Sequence, residues 1–225
     1  DEILVEMLAI SQAGIFVVPM LEQSVYVALR RSERMRPEGD AAFLAALLLI
    51  VSLLFTALQL VMHDAAWFSA RYEAYGTAEA IGISTEDITA ALMRLIDYME
   101  GDVDSIEITV TENGVPVSMY NARETAHMVD VRALYQAWRS VRDFGLLAAA
   151  LLVLGACALL PRGMRLRTLS KGYLRASAVF FLIVAALGAW VALDFNSFWL
   201  NFHYLFFDND LWILSYATDR MIRIC

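Results

Sequence analysis

"AAFLAALLLIVSLLFTALQLVM", residues 41–62, contains no charged residue. At about 1.5 Å rise per residue, a helix of this length crosses a hydrocarbon core roughly 30 Å thick, so the stretch reads as a membrane span. Two further stretches read the same way: "FGLLAAALLVLGACALL" at 144–160 and "ASAVFFLIVAALGAWVAL" at 176–193. The whole chain of 225 residues agrees, being 60% hydrophobic with a mean hydropathy of +0.57, above the roughly 45–50% apolar share of soluble domains.

Orientation follows from the basic residues, because Lys and Arg in short loops stay on the cytoplasmic side. The stretch 161–175 carries Arg162, Arg165, Arg167, Lys171 and Arg175 and no acid, and the stretch 30–40 adds Arg30, Arg31, Arg34 and Arg36. Both fall on one side if each span crosses once, which predicts an extracytoplasmic position for 63–143 and 194–225. Much of the net charge of −8 resides there. An acidic chain without a basic groove argues against nucleic acid as a partner.

Residues 3–29 are long enough to span but include Glu6, Gln12, Pro19, Glu22 and Gln23. They read either as a bent spanning helix or as an interfacial amphipathic one. The stretch lacks the pattern of a cleaved signal peptide, and a start at Asp rather than Met suggests a fragment or a processed chain. Cys157 lies within a span and Cys225 at the end of the sequence, so no disulfide is expected.

The predicted fold is mainly α: a polytopic membrane helix bundle with three spans, a possible fourth at the N-terminus, and a small extracytoplasmic α+β cap containing a β-hairpin. The predicted segments are an N-terminal helix with a basic cytoplasmic loop at 1–40, the spans 41–62, 144–160 and 176–193, the cap at 63–143, a basic cytoplasmic loop at 161–175, and an aromatic segment at 194–225. The cap is small for an independent domain and is expected to lean on the bilayer and the helices.

Within the cap, Ser84 with Asp87 resembles a capping arrangement, and Ile88, Leu92, Leu95, Ile96 and Met99 recur at helical spacing, predicting a helix over 85–100 that Gly101 ends. "SIEITVTENGVPVSMY", 105–120, alternates Ile106, Ile108 and Val110 with polar partners and turns at Asn113-Gly114, which predicts a hairpin with Pro116 on an edge strand. Asn121 followed by Glu124 is a plausible capping box for a helix that runs toward the span at 144. Arg123, His127, Asp130 and Leu134 share one face of that helix. The positive end of the helix dipole favours a neutral imidazole at His127, unless Glu124 or Asp130 reverses the balance. A neutral imidazole can serve as a base.

The chain has three histidines. His63, beside Asp64 at the end of its span, reads as structural. His127 is either a cap-region residue paired with Asp130 or a proton carrier, and His203 is either an interfacial aromatic or its partner. Two histidines, one in each extracytoplasmic segment and each near Asp or Glu, point to a shared site. Zinc held by His127, His203 and a carboxylate is a competing reading, although neither His-x-x-x-His nor Cys-x-x-Cys occurs. No Gly-x-Ser-x-Gly elbow supports a serine hydrolase. Trp199, Tyr204 and Trp212 read as membrane-interface residues, and the Arg cluster at 161–175 as a topology signal. Three function classes remain: an acid-base enzyme without metal, a zinc-dependent membrane hydrolase, and a non-catalytic membrane interaction or assembly protein.

"RETAHMVDVRALY" and "NFHYLFFDNDLWILSYATDRMIRI" resemble the two signature blocks of a bacterial integral membrane family once known as DUF1461, some of whose members are lipoprotein intramolecular transacylases. The first block is met by Arg123, Glu124, His127, Met128, Asp130 and Val131. The second is met by Phe202, His203, Phe206, Phe207, Asn209 and Trp212, with Thr218, Asp219 and Ile222 following. The resemblance covers roughly 41–225. Family members carry an Asp-Pro or Asn-Pro step where this chain has Ser215-Tyr216, and a final span beyond the position of Cys225.

The resemblance implies a membrane acyltransferase of the bacterial cell membrane, with its site on the extracytoplasmic side. It would act on a diacylglyceryl-modified lipoprotein among membrane lipid, moving the sn-2 acyl chain to the modified cysteine's own α-amino group. That aminolysis needs a base, an acid and oxyanion donors, and implies no cofactor and no metal. It implies His127 and His203 as the catalytic pair, Glu124 and Asp130 as tuning groups, and Arg123, Asn201 or Asn209 as oxyanion donors.

Overall fold

A computed structural model describes residues 37–224. The N-terminal helix expected at 3–29, the Arg30–Arg36 cluster and Cys225 lie outside the described residues. Among the described residues three helices are long and apolar enough to cross a membrane: α1 (Pro37–Met62), α5 (Ala122–Leu159) and α6 (Arg162–Leu193). Between α1 and α5 come α2 (Ala65–Ala74), α3 (Thr77–Ile81), α4 (Thr85–Glu100) and strands β1 (Thr109–Glu112) and β2 (Val115–Ser118); α7 (Phe195–Phe206) and α8 (Met221–Ile224) follow α6. The chain divides into two compact units.

Among the described residues one unit takes in 37–47 together with Ala149–Ala178. Here α1 and α6 meet through small residues: a Cβ on Gly172 would lie 2.6 Å from the backbone of Ala42, and Ala45 and Ala176 are buried beside them. Small side chains let membrane helices approach closely enough for dispersion to hold them where no hydrophobic effect does. The basic stretch 161–175, expected as a loop, is instead helical from Arg162 onward, and the turn before it is confined to Leu160 and Pro161. Arg, Lys and Leu are strong helix formers, so charge alone does not break the helix. Arg175 also pairs with Asp40 at 3.6 Å and lies over the Phe43 ring, so this residue packs as well as marking topology.

The second unit comprises Leu48–Ala148 and the chain from Val179 onward. Its core is the cap. The helix expected at 85–100 is α4, whose apolar stripe buries Ile88, Leu92, Leu95 and Ile96. The Oγ of Ser84 accepts the N–H of Asp87 at 3.1 Å. The Asp87 carboxylate does not complete the box; it accepts the N–H of Thr111 at 3.0 Å and ties α4 to β1. Gly101, at φ 95°, closes the helix.

The hairpin turns at Asn113 (φ 49°) and Gly114 (φ 85°), the paired positive angles of a type I′ turn. Val110 faces Val117, and Thr111 faces Pro116. The ladder starts later than the alternation predicts: Ile106 and Ile108 precede β1, although the Met119 N–H still reaches the Ile108 carbonyl at 2.9 Å. The free side of β1 is met by a bridge between Ile83 and Glu112, which leaves Pro116 on the outer strand, where its missing N–H costs nothing.

Helices α2 and α3 are not foreshadowed by the sequence reading, since neither shows an apolar stripe; Asp64 caps α2 by accepting the Trp67 N–H at 3.0 Å. The aromatic segment after α6 likewise begins as a helix, α7, capped by Asp194 through the Ser197 N–H at 2.9 Å. The cap core leans on the end of the chain, for Met221 and Ile224 are buried within it. The Tyr72 hydroxyl donates to the Ile224 carbonyl at 2.9 Å.

Candidate functional site

The capping box predicted at the start of α5 forms in full. The Oδ1 of Asn121 accepts the N–H groups of Arg123 and Glu124 at 2.9 and 3.0 Å, and the Glu124 carboxylate returns to the Asn121 N–H at 2.7 Å. Glu124 is almost wholly buried, and its other oxygen accepts the Met221 N–H at 2.6 Å. The Nδ2 of Asn121 donates to Asp219 at 2.6 Å. Asp219 is held below the usual carboxylate range, first by the backbone N–H of Ser215 and then, against the effect of burial, by Asn121. Further along, Asn209 donates to the Asp130 carboxylate at 2.9 Å, and Arg123 reaches the Asp210 carbonyl at 3.3 Å. The first turns of α5 are thus stitched to residues 209–221.

This stitching brings His127 and His203 together. Both are buried, at 7% and 5% exposure, and their ring centroids lie 6.4 Å apart. At that separation the ring nitrogens stand beyond a direct hydrogen bond of about 2.7–3.2 Å. Phe207 closes the edge of His127 at 5.1 Å. His203 lies between Trp199 at 4.3 Å and Trp212 at 4.7 Å, stacked on the latter. Its Nδ1 donates to the Trp199 carbonyl at 2.8 Å. A carbonyl only accepts, so Nδ1 carries the proton and, in the neutral ring, Nε2 is the acceptor. The Nδ1 of His127 and the Nε1 of Trp212 are buried without a hydrogen-bond partner among the described residues. Unpaired buried polar atoms are costly, and in a cleft they are atoms to which a ligand answers.

His127 titrates below its ordinary value. Burial is the main cause, and the charge on His203 adds to it, while Asp130 opposes both. The sequence reading favours the neutral ring through the helix dipole; burial is the stronger reason. The sign is definite: above the ordinary value of about 6.5 the ring is neutral in both folded and unfolded chains. As pH falls below it the unfolded chain takes up the proton first, and stability is lost until the folded ring is protonated as well. If neutral His127 is the base, the acid limb of the pH–rate profile falls below about pH 6.5, and Asp130→Asn moves it lower still by removing the one opposing charge. Initial rates measured across the pH range check this; a limb above 6.5, or one shifted upward in the variant, counts against it.

The other expected residues divide. Asp130 stands beside the pair through its charge on His127. Glu124 is spent on two backbone N–H groups and has no bond to either histidine. Asn201 is exposed and donates to the Ser197 carbonyl of its own helix at 2.8 Å. Asn209 and Arg123 are engaged as described above. His63 is structural, as expected: its Nδ1 bonds the Gln59 carbonyl at 2.8 Å. Among the described residues no three His, Cys, Asp or Glu side chains form a group suited to a metal ion.

Residues 43–225 match the family described as lipoprotein intramolecular transacylase Lit. The chain belongs to the Lit family. The in meso structure of the membrane-integral Lit from Bacillus cereus shares its fold, with a TM-score of 0.65 and 16% identity over 86% of this chain and 82% of that one. Two variants of that Lit, with one histidine replaced by arginine or by alanine, align at a TM-score of 0.58 and 14% identity, covering 90% and 89% of this chain and 82% of each. No curated protein sequence matches the chain.

Lit membership makes this a multi-pass membrane acyltransferase that acts within one lipoprotein molecule, and it sets aside the assembly-protein and zinc-hydrolase readings. For this Lit chain the site also holds side chains that sequence reasoning assigned elsewhere. Trp212 was expected at the membrane interface but is buried, at 5% exposure, under His203. Its indole gains more from stacking on the imidazole than from the headgroup region. The role of Trp199 was foreshadowed by its place four residues before His203, the helical spacing that lets a side chain reach a carbonyl one turn back.

Proposed function

We propose that the chain transfers the sn-2 acyl group of a diacylglyceryl-modified cysteine to that cysteine's α-amino group at the extracytoplasmic face, with His127 as base and His203 as acid. The observation that carries this reading is the buried 6.4 Å approach of the two imidazoles. The amine nitrogen attacks the ester carbonyl carbon, a C–N bond forms, and the carbonyl oxygen becomes an oxyanion. His127, kept neutral by burial, takes the proton from nitrogen. His203 gives a proton to the glyceryl oxygen as the C–O bond breaks, leaving an amide and a free glyceryl hydroxyl. The His203 ring is held in place by stacking on Trp212, by the tilted Trp199 ring and by its Nδ1–H bond to the Trp199 carbonyl. Each turnover leaves a proton on His127 and takes one from His203, and their proximity lets it return.

Oxyanion stabilisation is commonly the largest catalytic term. Arg123, Asn201 and Asn209 each have a donor engaged elsewhere, all in exposed contacts, whereas the Trp212 Nε1–H is buried with no partner among the described residues. Trp212 is therefore the donor favoured for the oxyanion. Because ester and amine belong to one molecule, the site's task is to fold the substrate so that the two meet, and that proximity is worth several orders of magnitude.

The test is to express the chain in a host that makes diacylglyceryl lipoproteins and to determine the N-terminal lipid form of a reporter by mass. The expected product is the N-acyl, lyso-glyceryl form with unchanged total acyl content. An unmodified diacylglyceryl terminus, or loss of one acyl chain to water, would overturn the reading.

A further inference from the structure

A cavity of about 300 Å³, whose wall includes Phe202, is not accounted for by the chemistry above. Its origin is a helix crossing. A Cβ on Gly145 would lie 2.7 Å from the Ser52 Oγ, and that hydroxyl donates to the Arg142 carbonyl at 3.2 Å, so α1 and α5 touch there through small residues. Toward Met62 larger side chains stand between them. Phe55, Leu58 and Met62, at helical spacing on α1, face Tyr135 and Trp138 on α5, and Phe202 of α7 completes the wall. Phe55 packs on Trp138 at 4.8 Å. Phe202 meets the edge of the His203 ring at 5.3 Å, which puts this groove one side chain from the acid-base pair.

The lining is carbon although polar residues contribute to it. Arg139 spends its charge on Glu100 at 2.7 Å, and Arg142 is bound to Gln59 and, at 2.8 Å, to Asp143. The Tyr135 hydroxyl donates to Glu100, and Gln59 does so at 2.8 Å. With their heads paired to one another, these residues offer the groove their stems and ring faces. A peptide or a headgroup placed there would bury polar groups without partners, whereas a hydrocarbon chain has none to satisfy.

We propose that this groove holds the acyl chain that migrates. The inference rests on the reading above: the reacting carbonyl must sit at the histidines, and its chain then leaves past Phe202 into this carbon-lined cavity. The groove holds the chain in place while its carbonyl exchanges oxygen for nitrogen, and it favours long chains, since each methylene buried adds to binding.

The test uses the full-length protein in liposomes with diacylglyceryl lipopeptides whose sn-2 chain has 8 or 16 carbons. Leu58 is half exposed, so Leu58→Trp can fill the groove without disturbing a core. The expected result is a fall in conversion of the 16-carbon substrate by about tenfold, the loss that follows from displacing roughly two methylenes, with the 8-carbon substrate little affected. Phe55→Ala, which deepens the groove, is expected to raise the ratio of long- to short-chain conversion. A ratio unchanged in both variants overturns the proposal. Occupancy is read without turnover by a lipopeptide carrying a photoactivatable sn-2 chain, which is expected to crosslink to the α1 and α5 residues of the groove. Unlabelled lipopeptide should displace it and phosphatidylglycerol at equal excess should not; equal displacement by both overturns the proposal. Crosslinking with no N-acyl product would instead count against the proposed reaction and leave the groove assignment standing.

Discussion

Replacing His203 by alanine is expected to lower conversion of a reporter lipoprotein by at least about a hundredfold, and His127→Ala by a similar factor, because each removes one half of a general acid-base pair. The double variant should be little worse than the poorer single one, since groups that act as a unit do not add. Both rings are buried among aromatics, so loss of packing must be separated from loss of the nitrogens. His203→Phe does this by keeping a ring between Trp199 and Trp212 while removing the bond to the Trp199 carbonyl and the proton it positions. Its rate should match that of His203→Ala. Trp212→Phe keeps an aromatic ring against His203 while removing Nε1–H together with part of the indole's ring area; if that donor meets the oxyanion, kcat falls by about tenfold to a hundredfold with little change in KM, whereas lost packing alone moves KM or stability. Initial rates of N-acyl lyso-product, measured by mass, decide between outcomes: wild-type rates in either single histidine variant would remove the acid-base pair, and an unchanged kcat in Trp212→Phe would remove the indole.

What the sequence disclosed about this site, and what it withheld, follows from the range of the forces involved. The capping box at Asn121 and Glu124 and the ends of α4 at Ser84 and Gly101 were legible because a few neighbouring residues determine them. The Asn113-Gly114 turn was legible because few residues accept two consecutive positive φ angles. The meeting of His127 with His203 was inferred from their paired chemistry and a family resemblance, and depends physically on contacts such as Asn209 with Asp130 that no local pattern encodes. The burial of Trp212 was missed because a tryptophan near a span suits the interface and a ring stack equally well. The groove was invisible for a sharper reason: Phe55, Leu58 and Met62 stand on a helix that is apolar all round, so no periodicity singles out the face that meets α5. The helical state of 162–175 was missed because the stretch was read as the loop between two spans, although Arg and Lys are good helix formers.

Glu124 carries the largest expected effect on stability, and it does so without touching either histidine. Its two oxygens accept the Asn121 N–H at 2.7 Å and the Met221 N–H at 2.6 Å in a site with 1% exposure. Alanine leaves both donors without an acceptor. A stranded buried N–H costs about 1–3 kcal/mol; the Met221 N–H is buried and that of Asn121 part-buried, so Glu124→Ala should cost about 1–4 kcal/mol before any relaxation. Glutamine is hardly better, for its amide nitrogen would face one of the two donors. Arg123→Ala, one residue away, gives up an exposed 3.3 Å contact to a carbonyl and a weak attraction to Asp219, and is expected to cost under about 1 kcal/mol. The measurement is the unfolding temperature of the purified protein in detergent, wild type against the three variants. Glu124→Ala and Glu124→Gln should fall by several degrees while Arg123→Ala stays close to wild type; equal temperatures throughout would mean that the bonds joining α5 to the end of the chain do not hold the site. The same bonds fix where residues 209–221 lie against the helix that carries His127. Activity lost in Glu124→Ala should therefore return in part at lower assay temperature, as loss of either histidine should not, and that difference marks Glu124 as a positioning residue.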